Sequence, residues 1–186
     1  MPAKVDHDDR RRKLLAASFH IFASEGYAAC TMRGLARSLG VSTGTLYHYF
    51  DGKEAVFVAM FRQLNDEIVE AATQELQEDP LDAGPLAVLL TFLAGHIDQL
   101  QAVIRIGLEY HRHHDDPSSR DWLASITRKY TEVFQNHLAL DNPDDGRVVL
   151  SLLMGAVVHQ LFDPAAVDLG THMMWVQQAL SSETSA

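Results

Sequence analysis

The chain lacks the features that mark secreted, disulfide-bonded and membrane proteins. Its 186 residues include a single cysteine, Cys30, which excludes an internal disulfide and which we expect to be a small buried residue between two helices. No run of 18 apolar residues occurs, so we expect no membrane-spanning helix. Residues 1–9 are polar and acidic, without the apolar segment of a signal peptide. These absences predict a cytoplasmic protein that does not enter a membrane.

Several motifs of enzymes and metal proteins are also missing. The sequence contains neither a Walker phosphate-binding motif nor a glycine-rich dinucleotide turn, and it has no HExxH or CxxC pattern. We therefore expect no enzyme activity, no cofactor and no bound metal. The chain length and a hydrophobic content of 47% suit a small head followed by a larger body that encloses a core.

The stretch from Thr31 to Lys53 predicts two short helices joined by a tight turn. Thr31 is a suitable N-cap for the first helix, and Gly40 ends it. The apolar residues between them repeat at i, i+3, i+4 and i+7 and so form one stripe: Met32, Leu35, Ala36 and Leu39.

The second short helix has one buried edge and one polar face. Ser42 or Thr43 can cap it, and Leu46 and Phe50 supply the buried edge. The opposite face is small or hydrogen-bonding, with no aliphatic side chain: Gly44, Thr45, Tyr47 and His48. This arrangement is typical of a recognition helix that enters the major groove of DNA.

A third helix precedes this pair and completes a small shared core. It carries an apolar face and has Gly26 just past its end. Arg10, Arg11, Arg12 and Lys13 precede or open it, where the helix dipole disfavours positive charge by ~0.3 to 1 kcal/mol. Phosphate is the simplest partner for this basic run, and an ordinary solvated charge run is the alternative.

The first third of the chain resembles the TetR family, the tetracycline-repressor-like regulators of bacterial transcription. The resemblance rests on FASEG from Phe22 to Gly26, on TMRGLARSLGVS from Thr31, and above all on GTLYHYFDGKEAVF from Gly44 to Phe57. It implies DNA contacts at bases or close to them for Arg33, Thr43, Gly44, Thr45, Tyr47 and His48. It implies phosphate contacts for Thr31, Tyr49 and Lys53, and the helical angle of Tyr49 leans toward the core.

The distribution of charge agrees with a DNA-binding head on an acidic body. Residues 1–53 hold eight Lys and Arg against five Asp and Glu, a net charge of +3. Residues 54–186 hold seven against twenty, a net charge of −13. The electrostatic potential around the predicted DNA-binding head is therefore expected to be positive, although the whole chain is acidic. We accordingly expect a helix-turn-helix domain over residues 1–53 and a ligand-binding and dimerisation domain over residues 54–186.

Beyond Phe57 the periodicity is helical throughout, so the predicted fold is all-α with about nine helices. A long helix over residues 54–77 links head to body, and a helix over residues 86–103 is interrupted or softened at Gly95. A short helical piece over residues 104–111 and a helix over residues 120–138 follow.

The segment from Val148 to Phe162 is apolar on nearly every side, which predicts a helix buried all round. A second apolar helix from Leu169 to Leu180 would pair with it, and two such helices per subunit form the four-helix seam of a homodimer. A monomeric core helix is the alternative. The predicted interface residues are Val149, Leu152, Leu153, Ala156, Val157, Gln160, His172, Trp175 and Val176.

The body also holds aromatic and apolar residues that can line a ligand pocket or simply fill the core. They carry few charges, which favours a hydrophobic or aromatic effector. The candidate pocket residues are Phe61, Leu64, Phe92, His96, Leu108, His111, Trp122, Ile126, Tyr130 and Met154.

The sequence therefore predicts a homodimeric repressor that a small effector releases from a palindromic operator. The alternative is a helical protein that binds a small molecule or a metal without regulating DNA. It rests on EYHRHHDD, residues 109–116, where His111, His114 and Asp115 share a helix face at a metal-chelating spacing.

Overall fold

The computed structural model describes residues 2–78, 84–138, 140, 142, 144–164 and 171. These residues form eight α-helices and no β-strand, which confirms the all-α fold class. The predicted helix over residues 169–180 lies outside the described residues. The eight helices are α1 (Pro2–Glu25), α2 (Met32–Ser38), α3 (Thr43–Tyr49), α4 (Lys53–Glu78), α5 (Pro85–Gly95), α6 (Ile97–His113), α7 (Pro117–His137) and α8 (Asp145–Phe162).

The break predicted at Gly95 is present, and it separates two helices. The axes of α5 and α6 meet at 75°, and the C-cap residue His96 closes α5 with its backbone N–H on the carbonyls of Phe92 and Leu93. The prediction of a separate helical piece over residues 104–111 was wrong, because α6 runs unbroken to His113.

Helix α1 begins much earlier than its apolar pattern indicates. It starts at Pro2, a residue favoured in a first helical turn, so the basic run of residues 10–13 lies inside the helix and not at its opening. The expectation that the helix dipole disfavours these positive charges was therefore wrong. Asp9 pairs within the helix with Lys13 at 2.8 Å and with Arg12 at 3.7 Å, and the Lys13 ammonium lowers the pKa of the Asp9 carboxyl.

The chain forms two compact units. Unit 1 comprises residues 1–67 and 102–120, and unit 2 comprises residues 68–101 and 121–186. Helices α4, α6 and α7 each contribute residues to both units. The expected domain boundary between residues 53 and 54 stays a prediction.

The core of unit 1 is aromatic. The ring of Phe57 packs edge-on against Phe22 with the centroids 5.2 Å apart, and it stacks on Tyr110 at 4.7 Å. Leu35 and Leu46 are also fully buried. This cluster joins α1 to α4 and the C-terminal part of α6 around the helix-turn-helix.

Unit 2 has an aliphatic core, to which α8 contributes Val149 and Leu153. The opposite side of α8 is exposed, with Leu152 at 50% and Phe162 at 84% of full exposure. The expectation that this helix is buried all round was therefore wrong for the single chain. Among the described helices α8 alone is long and apolar enough to cross a membrane, and the bent α5–α6 pair is a second candidate if it is taken as one span. The buried residues of α8 identify it as a core helix with one uncovered side.

Candidate nucleic-acid interface

Two hydroxyl caps set the geometry of the helix-turn-helix. Thr31 Oγ1 accepts a hydrogen bond from Gly34 N at 3.0 Å and opens α2. Ser42 Oγ accepts one from Thr45 N at 2.9 Å and opens α3, so of the two candidate caps Ser42 is the one used. Between the helices Gly40 has a φ of +68°, a left-handed conformation that side chains with a Cβ rarely adopt. The start of each helix and the turn between them are therefore fixed by residues close together in the sequence.

Helix α3 has the two faces that its sequence predicts. Leu46 is fully buried, whereas Tyr47 is 53% exposed. Gly44 and His48 are also exposed, and Thr45 is half-buried with its hydroxyl 2.8 Å from Ser42 Oγ. The exposed face thus offers aromatic and polar groups that are free to meet a partner.

Residues 40–44, GVSTG, spell the GxSxG pattern of serine hydrolases. That pattern needs a serine on a sharp turn between a strand and a helix. Here the turn joins two helices, and Ser42 Oγ is bonded to the backbone and hydroxyl of Thr45. Ser42 is a helix cap in this setting and not a nucleophile.

The other predicted DNA contacts differ in their surroundings. Thr31 and Arg33 are exposed, and Thr43 and Tyr49 are half-buried. Lys53 donates a hydrogen bond to Tyr27 O at 2.9 Å and lies 4.2 Å from the centroid of that tyrosine ring. A second carbonyl, Ala28 O, is 3.5 Å away, so one of the three N–H donors of the ammonium remains for a phosphate.

A glutamate from α6 holds the turn between α1 and α2, and the sequence analysis missed it. Glu109 accepts hydrogen bonds from Tyr27 N and Ala28 N, each at 2.9 Å. The hydrogen bond from Ala28 N is the main reason that the pKa of Glu109 is lowered. The Glu109 carboxylate also lies close to the backbone of Gly26, because a Cβ added at Gly26 would come within 2.9 Å of it. No local pattern marks Glu109, since its partners lie about 80 residues away.

The histidine-rich stretch that suggested a metal site also meets the head. A hydrogen bond of 2.7 Å joins Tyr27 Oη and His114 Nε2, and burial raises the pKa of Tyr27 to about 12. His114 stacks on Tyr110, which donates a hydrogen bond to Glu54 at 3.1 Å. In the described part of the chain no three His, Cys, Asp or Glu residues are grouped to hold a metal ion.

Cys30 lies beneath this surface and is 3% exposed. Burial raises the pKa of its thiol to about 11, and the neighbouring Glu25 carboxylate acts in the same direction. The reactive thiolate is therefore suppressed, as expected for a small buried residue.

The predicted interface residues divide between core and surface. Val149, Leu153, Ala156 and Val157 are buried inside their own chain, and Gln160 is half-buried. A residue buried in this way has little surface to offer a partner, so only Leu152 of the described set is well placed. His172, Trp175 and Val176 lie outside the described residues.

The predicted pocket residues fall in both units, and the pocket stays a prediction. Leu108, His111 and Met154 are exposed. Trp122, Tyr130 and His96 are half-buried, and the ring of His96 stacks on Phe92 at 4.2 Å. The remaining buried members are Phe61, Leu64, Phe92 and Ile126.

Comparison with known proteins bears on this helix-turn-helix. Residues 14–60 match the family model described as bacterial regulatory proteins, tetR family. The helix-turn-helix and the helices that flank it are therefore similar to the DNA-binding domain of tetR-family regulators. An HTH-type transcriptional repressor from Mycobacterium tuberculosis is 28% identical over 170 residues, which are 85% of this chain and 87% of the relative.

Solved structures of TetR regulators share the fold over most of the chain. A tetR-family transcriptional regulator from Streptomyces coelicolor aligns with a TM-score of 0.72 and 16% identity, over 96% of this chain and 82% of the other. The regulator FadR from Bacillus subtilis, solved in complex with stearoyl-CoA, aligns with a TM-score of 0.69 and 19% identity, over 90% and 95%.

Proposed function

We propose that the protein is a ligand-responsive transcriptional repressor that binds a palindromic operator as a homodimer in the cytoplasm. The observation that carries this proposal is α3, where one fully buried leucine anchors a short helix whose opposite face exposes Tyr47, His48 and Gly44. The match of residues 14–60 to the tetR-family model and the similarity to the repressor from Mycobacterium tuberculosis support the same function.

The exposed residues suit readout of bases in the major groove. Gly44 and Thr45 allow close approach to a thymine methyl group, and His48 or Arg33 can donate a hydrogen bond to guanine. Thr31, Tyr49 and the free N–H of Lys53 are placed to meet phosphates. The positive head and acidic body favour docking through this face.

The second copy of the chain covers the exposed face of α8. Val148, Leu152 and Phe162 repeat along this face, and Gly155 lies between them. Among the described residues no atom lies within 4 Å of a Cβ built at Gly155, so a partner helix can approach closely there. A two-fold axis through this face presents two recognition helices to two half-sites.

The effector is a small hydrophobic or aromatic molecule bound in the helical body. The complex of FadR with stearoyl-CoA shows a protein of the same fold with an apolar acyl chain bound. Helix α4 contributes to both units, so a ligand that shifts it changes the spacing of the two heads and weakens operator binding.

Selection of duplexes from a random DNA pool by the purified protein tests this function, followed by gel shift with the DNA beside its own gene. We expect enrichment of a palindrome whose half-site centres are one helical turn or a multiple apart, ~34 to 36 Å per turn. No enrichment in low salt would contradict the proposal and favour the alternative without operator binding. Thermal-shift screening, with acyl-CoA esters and aromatic compounds as separate arms, then identifies effectors that raise Tm and release the selected duplex.

A further inference from the structure

Helix α1 extends well beyond the core that it helps to form. From residue 7 onward, where its side chains are described, the first buried residue is Leu14, which is also where the match to the family model begins. Residues 2–13, here called the N-terminal extension, therefore add about three helical turns outside the matched domain. Among its residues with described side chains none is buried. Hydrophobic burial does not explain this segment.

The N-terminal extension packs against the recognition helix. The ring of His7 lies 4.5 Å from that of Tyr49 and is tilted by 33°, and it meets His48 edge-on at 5.5 Å. One turn further along the same face of α1, the guanidinium of Arg11 lies 5.1 Å from the ring centroid of Phe50. Two successive turns of the extension thus contact the C-terminal end of α3.

The three rings form a closed triangle, because His48 also meets Tyr49 edge-on at 5.3 Å. Tyr49 is the last residue of α3 and is half-buried under His7. An exposed aromatic side chain that contacts DNA must give up its rotamer freedom on binding, and a ring packed beforehand has less to lose.

We propose that His7 is a positioning residue of the DNA interface, which holds the side chains of Tyr49 and His48 in the orientation that binds DNA. The inference rests on the proposed operator binding and adds to it a residue outside the family's matched domain. His7 meets the two rings of α3 through its own ring face and edge, so the ring as a whole carries the effect.

The experiment measures Kd for a duplex selected by the wild-type protein and for a scrambled duplex, in three variants. We expect His7→Ala to weaken binding of the selected duplex by about 2- to 10-fold and to lower the ratio of the two affinities. His7→Phe keeps a ring without a hydrogen bond or a charge, and it should restore the ratio. His20→Ala is the matched control, an exposed histidine of α1 whose only described ring contact is with Phe19.

A double-mutant cycle with Tyr49→Ala separates positioning from direct contact. If His7 acts through Tyr49, then His7→Ala has little further effect once Tyr49 is removed. Additive effects, wild-type affinity in His7→Ala, or a His7→Phe variant as weak as His7→Ala would each overturn the inference alone. A wild-type protein that selects no duplex would overturn the proposed function and this inference together. Unchanged Tm in the His7 variants verifies that the fold is intact.

Discussion

Helices α3 and α8 each leave one face exposed, and the two faces have opposite chemistry. On α3 the exposed residues include Tyr47 and His48, whose polar groups hydrogen-bond well in water and on DNA. On α8 they include Val148, Leu152 and Phe162, whose exposure to water is unfavourable. The comparison teaches that the chemistry of an exposed helix face indicates the class of partner that suits it, and it is the basis for the proposed nucleic-acid partner of α3 and the proposed second chain at α8.

The two helices also differ in how firmly their own unit holds them. Helix α3 is seven residues long and has one buried residue, Leu46. Helix α8 is 18 residues long and has five buried residues. A short helix that is held by Leu46, the Ser42 cap and the buried residue Phe50 at its end is easily lost, so the largest effects are expected there.

Leu46→Ala should unfold the head. Truncating a buried leucine costs ~2 to 5 kcal/mol, and here no other side chain of α3 is buried to compensate. Circular dichroism and thermal unfolding measure the loss. The double variant Tyr47→Ala, His48→Ala is the matched control on the opposite face, and it should fold normally and lose specific operator binding. A footprint like that of the wild type would contradict the assignment of α3 as recognition helix.

Leu152→Glu should convert the proposed dimer to a folded monomer, because it places a charge in the apolar face of α8 that we propose the second chain covers. Light scattering at micromolar concentration and a thermal melt measure the two properties. Ala156→Glu is the comparison one turn along α8, where the side chain is buried in its own chain and a charge should unfold the protein. A wild-type monomer would remove the dimer from the proposal.

Base contacts and phosphate contacts should separate by their dependence on salt. Arg33→Ala or His48→Ala should cost ~1 to 3 kcal/mol on the selected operator and relax its sequence preference. Lys53→Ala should weaken binding evenly across sequences. The slope of log K against log salt concentration, which is near −0.9 per phosphate contact, should become shallower by about 1. Titrations of several duplexes from low to high salt measure both. A flat salt dependence in the wild type would contradict docking through the positive head.

Glu109→Gln should destabilise the turn between α1 and α2 by about 1 kcal/mol at neutral pH. This figure is lower than that of a fully buried charged hydrogen bond, because the carboxylate is only partly buried. The pKa of Glu109 is lowered in the folded state, so its contribution is complete above the unfolded pKa and is lost as the pH falls through the folded value. The free energies of unfolding of the wild type and the variant should therefore become equal at acid pH. Glu70→Gln, an exposed glutamate of α4, is the control, and an equal loss there would contradict a specific role for Glu109.

The sequence by itself determined the helix-turn-helix and the course of α4 to within one residue at each end, whereas α7 and α8 each begin three residues before their predicted starts. Thr31, Gly40 and Leu46 act through backbone groups and neighbours within a few residues, so spacing along the chain is sufficient to predict them. The long helix α4 follows from the same periodicity. The start of α1 did not, because residues 2–13 form a helix without an apolar stripe.

Only the tertiary structure decided which side of α8 is exposed and which distant residues support the DNA-binding surface. An apolar helix has no periodic contrast from which its buried side can be inferred. Glu109 meets the turn at Tyr27 across 82 residues of sequence, and His7 meets Tyr49 across an intervening helix. Such pairings arise from the packing of whole helices, in which many weak contacts place two side chains together, and no local pattern records them.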